Sequence, residues 1–158
     1  MFMKIKSLIV EDEISAREAL KSYLTKYCPQ VEIIGEASDA KQAIEKIKSL
    51  EPQLVFLDVE LPYGNAFDIL DAVADKNFET IFVTAFSEYS IKALNQSAAY
   101  YILKPVNIEE LIVAVNKAHE NIIKNDSFNR NRIVLENFKE KETEKRQVVV
   151  PTLEGFEL

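Results

Sequence analysis

The sequence predicts an α/β fold: a doubly wound, five-stranded parallel sheet with helices on both faces and a C-terminal extension. Three observations lead there. Five short apolar runs alternate with amphipathic segments between residues 4 and about 124. Most of these runs are nearly continuous in apolar residues, as strands covered on both faces must be. The alternation is strictly strand then helix, and right-handed crossovers turn such a pattern into an open sheet wound in both directions.

The strand candidates are "IKSLIV" (5–10), "VEIIGEA" (31–37), "QLVFL" (53–57), "TIFVTA" (80–85) and "AYYIL" (99–103). The second has more polar interruptions than the others, which suits an edge. Helical stripes lie between them: Ala19, Leu20, Tyr23, Leu24 and Tyr27, then Ala40, Ala43, Ile44 and Ile47. Phe67, Leu70, Val73 and Ala74 form a third stripe, and Ile108, Leu111, Ile112, Val115 and Ile122 a fifth. The fourth helix, over 88–95, is short and weakly amphipathic. Asp39 with Gln42, and Asn107 with Glu110, stand at or near capping-box spacing and mark two helix starts.

One domain is therefore expected over 1–124. Composition changes after it: "NDSFNRNRIVLENFKEKETEKRQ" (125–147) is rich in charge, with Phe128, Val134, Leu135 and Phe138 at partly helical spacing, and reads as a helical linker. The tail "VVVPTLEGFEL" (148–158) reads as a strand, a Pro-marked edge and a Gly turn. So short a piece cannot bury a core of its own.

Bulk properties narrow the chemistry. In 158 residues the net charge is −7, which argues against nucleic-acid binding through a general basic surface. A lone cysteine, Cys28, excludes an internal disulfide and fits a reducing compartment, and with one histidine there is no Cys/His zinc set. The N-terminus lacks a secretory apolar core, and no apolar run is long enough to cross a membrane, so a cytoplasmic location is expected.

In open α/β sheets, sites form beyond the carboxyl ends of the strands. Here those ends carry Glu11-Asp12-Glu13, Asp58, Thr84-Ala85 and Lys104-Pro105. Carboxylates gathered in this way repel, and a divalent cation relieves them. Mg²⁺ takes hard oxygen ligands and keeps several waters, leaving room for phosphoryl oxygens. Asp12, Asp58 and a backbone carbonyl just beyond Asp58 would suffice, with Glu11 acting through water. Phosphoryl transfer needs neutralisation of the equatorial oxygens, for which Lys104 offers a point charge and Thr84 a hydroxyl. Asp58, on a rigid strand end, is the candidate nucleophile for an aspartyl phosphate. Taken singly these residues are ordinary: acids favour helix N-termini, and Asp or Lys-Pro often begins a turn. Their joint occurrence on the correct strand ends carries the reading.

With these residues in place, "LIVEDE", "LVFLDVELP", "IFVTAF" and "YYILKP" resemble the receiver domain of two-component response regulators over residues 4 to about 122. The resemblance implies a flavodoxin-like sheet of order 2-1-3-4-5. It implies that Asp58 accepts a phosphoryl group from a phosphohistidine on a sensor histidine kinase. It also implies that Glu11, Asp12, Asp58 and the backbone carbonyl of Glu60 hold Mg²⁺, that Lys104 pairs with the phosphoryl group, and that Thr84 and Tyr101 form a switch pair. Such a domain is a phosphoacceptor that catalyses only its own phosphorylation and dephosphorylation. The stretch 88–119 and the tail 146–158 further resemble LytTR-type regulators, in which a receiver is followed by a linker and a mostly β DNA-binding domain. Most of that effector is absent from this chain. A homodimer would use the face of the fourth helix, fifth strand and fifth helix, which carries Ile91, Leu94 and Tyr101. Two positions depart from the family pattern: Ala66 stands where Gly is usual, with Gly64 two residues earlier, and Tyr100 stands where Asp is common. The rival reading, a Mg²⁺-dependent phosphohydrolase with Glu60 as general acid, lacks an insertion large enough for a substrate cap.

Overall fold

In the computed structural model, residues 4–85, 100–124, 134–136 and 138 are described. The chain order is β1 (Ile5–Val10), α1 (Ile14–Tyr27), β2 (Val31–Ala37), α2 (Ala40–Leu50), β3 (Leu54–Leu57), β4 (Glu60–Leu61), β5 (Gly64–Asn65), α3 (Ala66–Ala72), β6 (Glu79–Thr84), β7 (Tyr100–Leu103) and α4 (Ile108–Lys124). Five strands form one parallel sheet in the order β2-β1-β3-β6-β7, and β4 pairs antiparallel with β5 in a small hairpin. The expected fold class and the edge position of residues 31–37 are both observed. The predicted fourth helix, with Ile91 and Leu94, lies outside the described residues, as does the tail 148–158. Among the described residues, no helix is long and apolar enough to cross a membrane.

The continuity of the apolar runs follows from burial on both faces. Leu8, Val10, Val55, Leu57 and Phe82 pack on one side of the sheet with Ala43 and Ile47 of α2 and Phe67 and Leu70 of α3. Ile9, Phe56, Ile81 and Val83 point to the other side, against Leu20 and Leu24 of α1 and Leu111 and Val115 of α4. Each such aliphatic or aromatic side chain contributes about 1.5–3 kcal/mol when fully removed from water. The helical stripes are narrower than their apolar spacing predicts. Ala19 and Tyr27 are exposed because only the arc through Leu20 and Leu24 faces the sheet. Ala74 is exposed because α3 has already ended, with Val73 as its C-cap.

Past α4 the chain changes faces. Residues of α4 pack in the second cluster, whereas Val134 and Leu135 are buried in the first, and Phe138 stacks on Phe67 with ring centroids 3.6 Å apart. Val134, Leu135 and Phe138 of the charged segment thus cover the sheet face that α2 and α3 occupy.

Capping follows the expected chemistry at two helices. Asp39 Oδ1 accepts the Gln42 N–H at 2.8 Å, and Asn107 Oδ1 accepts that of Glu110 at 3.0 Å. A third cap was not anticipated: Asn65 Oδ1 accepts from Phe67 and Asp68 N–H, and Asp68 returns a bond to the Asn65 N–H. This cap anchors the end of the loop that starts at Asp58.

That loop reaches its cap through two residues with positive φ, Tyr63 (61°) and Gly64 (144°). Gly64, rather than position 66, carries the conformation that side chains rarely adopt. A Cβ there would also lie 3.1 Å from Ala40 Cβ and 3.2 Å from Asp68 Oδ2. Gly64→Ala is expected to lower unfolding stability by about 1–3 kcal/mol in urea titration. A variant as stable as the wild type would contradict this account of the loop.

Candidate functional site

The sheet ends its strands on the site. Glu11 follows β1 directly, and its N–H still donates to the Ala37 carbonyl of β2 at 2.9 Å. Asp58 follows β3, and its N–H donates to the Val10 carbonyl at 3.2 Å. Both residues therefore extend the ladder by one step before the chain turns away, and they are only 4% and 7% exposed. Lys104 follows β7 and is tied to the neighbouring strand through its N–H, which donates to the Thr84 carbonyl at 2.9 Å. Thr84 closes β6 and is buried.

These positions bring four of the predicted residues together. The Lys104 ammonium donates to Glu11 Oε1 at 2.7 Å and to Asp58 Oδ2 at 3.1 Å. Asp12, exposed, supplies a third carboxylate, and one oxygen from each of Glu11, Asp12 and Asp58 lies within 4.8 Å of the others. Two backbone donors steady the acids: Glu13 N–H reaches Glu11 Oε2 at 3.1 Å, and Glu60 N–H reaches Asp58 Oδ1 at 3.2 Å. Thr84 lies one strand over, joined to Lys104 through the backbone. Tyr101 sits on β7 opposite Phe82, with the two rings tilted by 31° and 5.9 Å apart.

The charges do not balance. Burial raises the Glu11 pKa, and the Asp58 charge adds to this, while the Lys104 ammonium and the Glu13 N–H pull the other way. Burial pulls the Lys104 pKa down, but its hydrogen bonds to Glu11 and Asp58 outweigh that and hold it above its ordinary value. Glu11 and Asp58 share this ammonium with Asp12 close by, which leaves excess negative charge in a partly dry site. Hard oxygen donors in this number fit a divalent cation that prefers oxygen, such as Mg²⁺.

Tyr101 has a different environment. Its hydroxyl is buried with no hydrogen-bond partner among the described residues. Its pKa is pushed well above the ordinary phenol value, by burial first and then by the charges of Asp58 and Glu60. A buried polar group without a partner costs about 1–3 kcal/mol. Tyr101→Phe is therefore expected to unfold at the same or a higher temperature than the wild type. A clear fall in melting temperature would mean that the hydroxyl makes a stabilising bond.

One contact of the site escapes sequence reasoning. Arg17, on α1, donates from Nη1 to the Glu11 backbone carbonyl at 2.6 Å and from Nε to Glu36 Oε1 at 3.0 Å. An arginine in the helix that follows an acidic turn, facing a Glu on a polar edge strand, is the pattern that would have found it.

Residues 7–116 match the family described as the response regulator receiver domain. The chain is 39% identical over 115 residues to the sensory transduction protein LytT of Bacillus cereus, covering 72% of this chain and 46% of that one. It is 36% identical over 123 residues to the transcriptional regulatory protein BtsR of Salmonella typhi, covering 77% and 51%. The chain thus spans about half the length of the curated relatives it matches. Among solved structures it is similar to the response regulatory domain of mrkE from Klebsiella pneumoniae, with a TM-score of 0.66 at 25% identity over 76% of this chain and 99% of that one. The response regulator domain of Thermotoga maritima CheB gives a TM-score of 0.58 at 27% identity, over 80% and 97%.

Proposed function

Because the chain belongs to the response regulator receiver-domain family, and so serves as a phosphoacceptor in two-component signalling, we propose that Asp58 is the residue that accepts the phosphoryl group. The observation that carries this is the Lys104 ammonium bridging Glu11 and Asp58, beside Asp12, at the ends of three parallel strands. An Asp58 carboxylate oxygen attacks the phosphorus of a phosphohistidine on a sensor histidine kinase. The O–P bond forms as the P–N bond breaks, and the histidine nitrogen leaves with the electron pair. Lys104 neutralises one equatorial phosphoryl oxygen, and the Thr84 hydroxyl donates to another. Glu11, Asp12, Asp58 and the Glu60 backbone carbonyl would hold Mg²⁺. When bound, Mg²⁺ supplies the positive charge that lets the phosphoryl oxygens approach three carboxylates.

Thr84 and Tyr101 act as the switch: as Thr84 turns toward the phosphoryl group, the ring of Tyr101 fills the space behind it, and the surface of β7 and α4 changes with it. That surface forms a groove lined by Tyr100, Tyr101, Asn107, Val113 and Lys117. Together with the fourth helix it is the proposed homodimer face. The protein is a cytoplasmic, LytTR-type regulator with no turnover of free substrates. Residues 125–147 link the receiver to a DNA-binding domain that begins within 148–158, and DNA is engaged only through that domain. Similarity to the sensory transduction protein LytT supports the LytTR-type reading of the receiver.

Incubation with Mg²⁺ and a small acyl phosphate, followed by intact mass, tests the reading. One phosphoryl group is expected, lost in base, absent with a chelator and absent in Asp58→Ala. Incorporation that survives this substitution would sink the assignment, as would steady release of phosphate from small phosphomonoesters.

A further inference from the structure

The acidic turn after β1 is gripped from behind as well as from the front. Glu11 still pairs through its N–H with Ala37, but its carbonyl lies where the chain leaves the sheet for α1. Arg17 takes that carbonyl at 2.6 Å through Nη1. Its Nε donates at 3.0 Å to Glu36 Oε1 on β2, and Glu36 Oε2 also accepts Lys21 Nζ at 2.7 Å. The Arg17 side chain is only 15% exposed, so the guanidinium is packed between helix, edge strand and turn. Hydrogen bonding from Lys21, with the charge of Arg17 adding to it, holds the Glu36 carboxyl below its ordinary pKa and keeps it ionised as a brace.

The geometry points to Arg17, braced by Glu36, as the positioning residue for divalent-cation binding at Glu11, Asp12 and Asp58. Arg17 makes no hydrogen bond or ion pair with the carboxylate oxygens of these three acids. It holds the carbonyl of the Glu11–Asp12 peptide, and because that peptide is planar, fixing its oxygen fixes the direction in which the backbone presents Asp12. Two of the three converging acids flank that peptide. A guanidinium is suited to the task because its rigid fork bonds the carbonyl and the Glu36 carboxylate together, whereas a lysine offers a single point charge. The fixed positive charge also lies against the backbone of a turn whose side chains are acidic, which offsets part of their mutual repulsion.

The inference rests on the proposed metal-binding role of the three acids, and the test separates the two. Mg²⁺ affinity is measured by calorimetry on the full chain, alongside metal-free thermal melting, for the wild type, Arg17→Met, Arg17→Lys, Glu36→Gln and the Arg17→Met/Glu36→Gln double variant. Losing an outer partner of a metal site typically weakens metal binding about 10–100-fold. Arg17→Met is expected to weaken Mg²⁺ binding about tenfold, at the lower end of that range. Arg17→Lys and Glu36→Gln should weaken it less. The double variant should be no weaker than Arg17→Met, because Glu36 acts through Arg17. Ile47→Val, on α2 and buried in the core, serves as a control that lowers stability without touching the turn. Its Mg²⁺ affinity should equal that of the wild type. Arg17→Met within twofold of wild-type affinity overturns the inference, and so does an equal loss in Ile47→Val, which would mark a general effect of stability. A wild-type protein that binds no Mg²⁺ overturns the parent reading and this one with it.

Discussion

Asp58→Asn is expected to abolish phosphoryl incorporation while leaving the metal-free fold intact. The amide keeps the size and shape of the carboxylate, so β3 and the Asp58 N–H bond to Val10 are undisturbed. It removes the proposed nucleophile, and loss of a covalent catalyst's attacking group costs ~10³-fold or more in rate. It also removes one of the charges that raise the Glu11 pKa, leaving Lys104 to serve Glu11 alone. Relief of repulsion offsets the lost bond between Asp58 and Lys104, so melting temperature in chelator should match or exceed that of the wild type. The expected pairing of intact stability with lost chemistry is what separates a nucleophile from a structural acid. Were Asp58 a turn-forming residue only, the variant would instead unfold earlier and still become phosphorylated.

Lys104→Met has the opposite signature. Glu11 and Asp58 lose the ammonium they share at 2.7 and 3.1 Å, and both stay largely buried. Removing one partner of a buried pair costs about 3–5 kcal/mol, and the partial exposure of Lys104 reduces this to about 2 kcal/mol. Since the Lys104 pKa is raised in the folded protein, its contribution is fully present below the ordinary value of 10.5 and is lost only as pH rises through the raised value. The difference between wild type and variant should therefore be flat across neutral pH, and on the alkaline side it should close only in strong alkali. Mg²⁺ should stabilise the variant more than the wild type, because the cation replaces a charge at oxygens that no ammonium now occupies. Phosphorylation, by contrast, should slow by ~10²-fold, since the ammonium is aimed at charge that develops in the transition state. Thermal melting with and without Mg²⁺, and the rate of phosphoryl incorporation, check the two halves separately.

How much of this was legible in the sequence depends on what each residue does. Parallel strands buried on both faces must be almost wholly apolar, so "LVFL" of β3 and its neighbours stood out, with limits that differ by a residue from those observed. The rim of acids and lysine was legible because strand ends are where a parallel sheet presents polar side chains. The hairpin of β4 and β5 was not, because strands of two residues carry no periodicity. Gly64 marked a turn, but Tyr63 at positive φ did not announce itself. Arg17 was missed because its main acceptor is a backbone carbonyl, so only its pairing with Glu36 on the edge strand leaves a side-chain pattern to read. Val134, Leu135 and Phe138 were recognised as apolar within a charged stretch. Which sheet face they cover depends on a change of side after α4 that no local pattern encodes.

The central claim is that the phosphoryl group is carried by Asp58 and by no other acid. Reductive trapping of the phosphorylated protein with borohydride addresses it, because an aspartyl phosphate is reduced to homoserine at the modified position. Peptide mass mapping of the wild type should find homoserine at position 58 alone, dependent on both Mg²⁺ and the phosphoryl donor. Homoserine at Asp12, or a phosphorylated protein with Asp58 unconverted, would contradict the account.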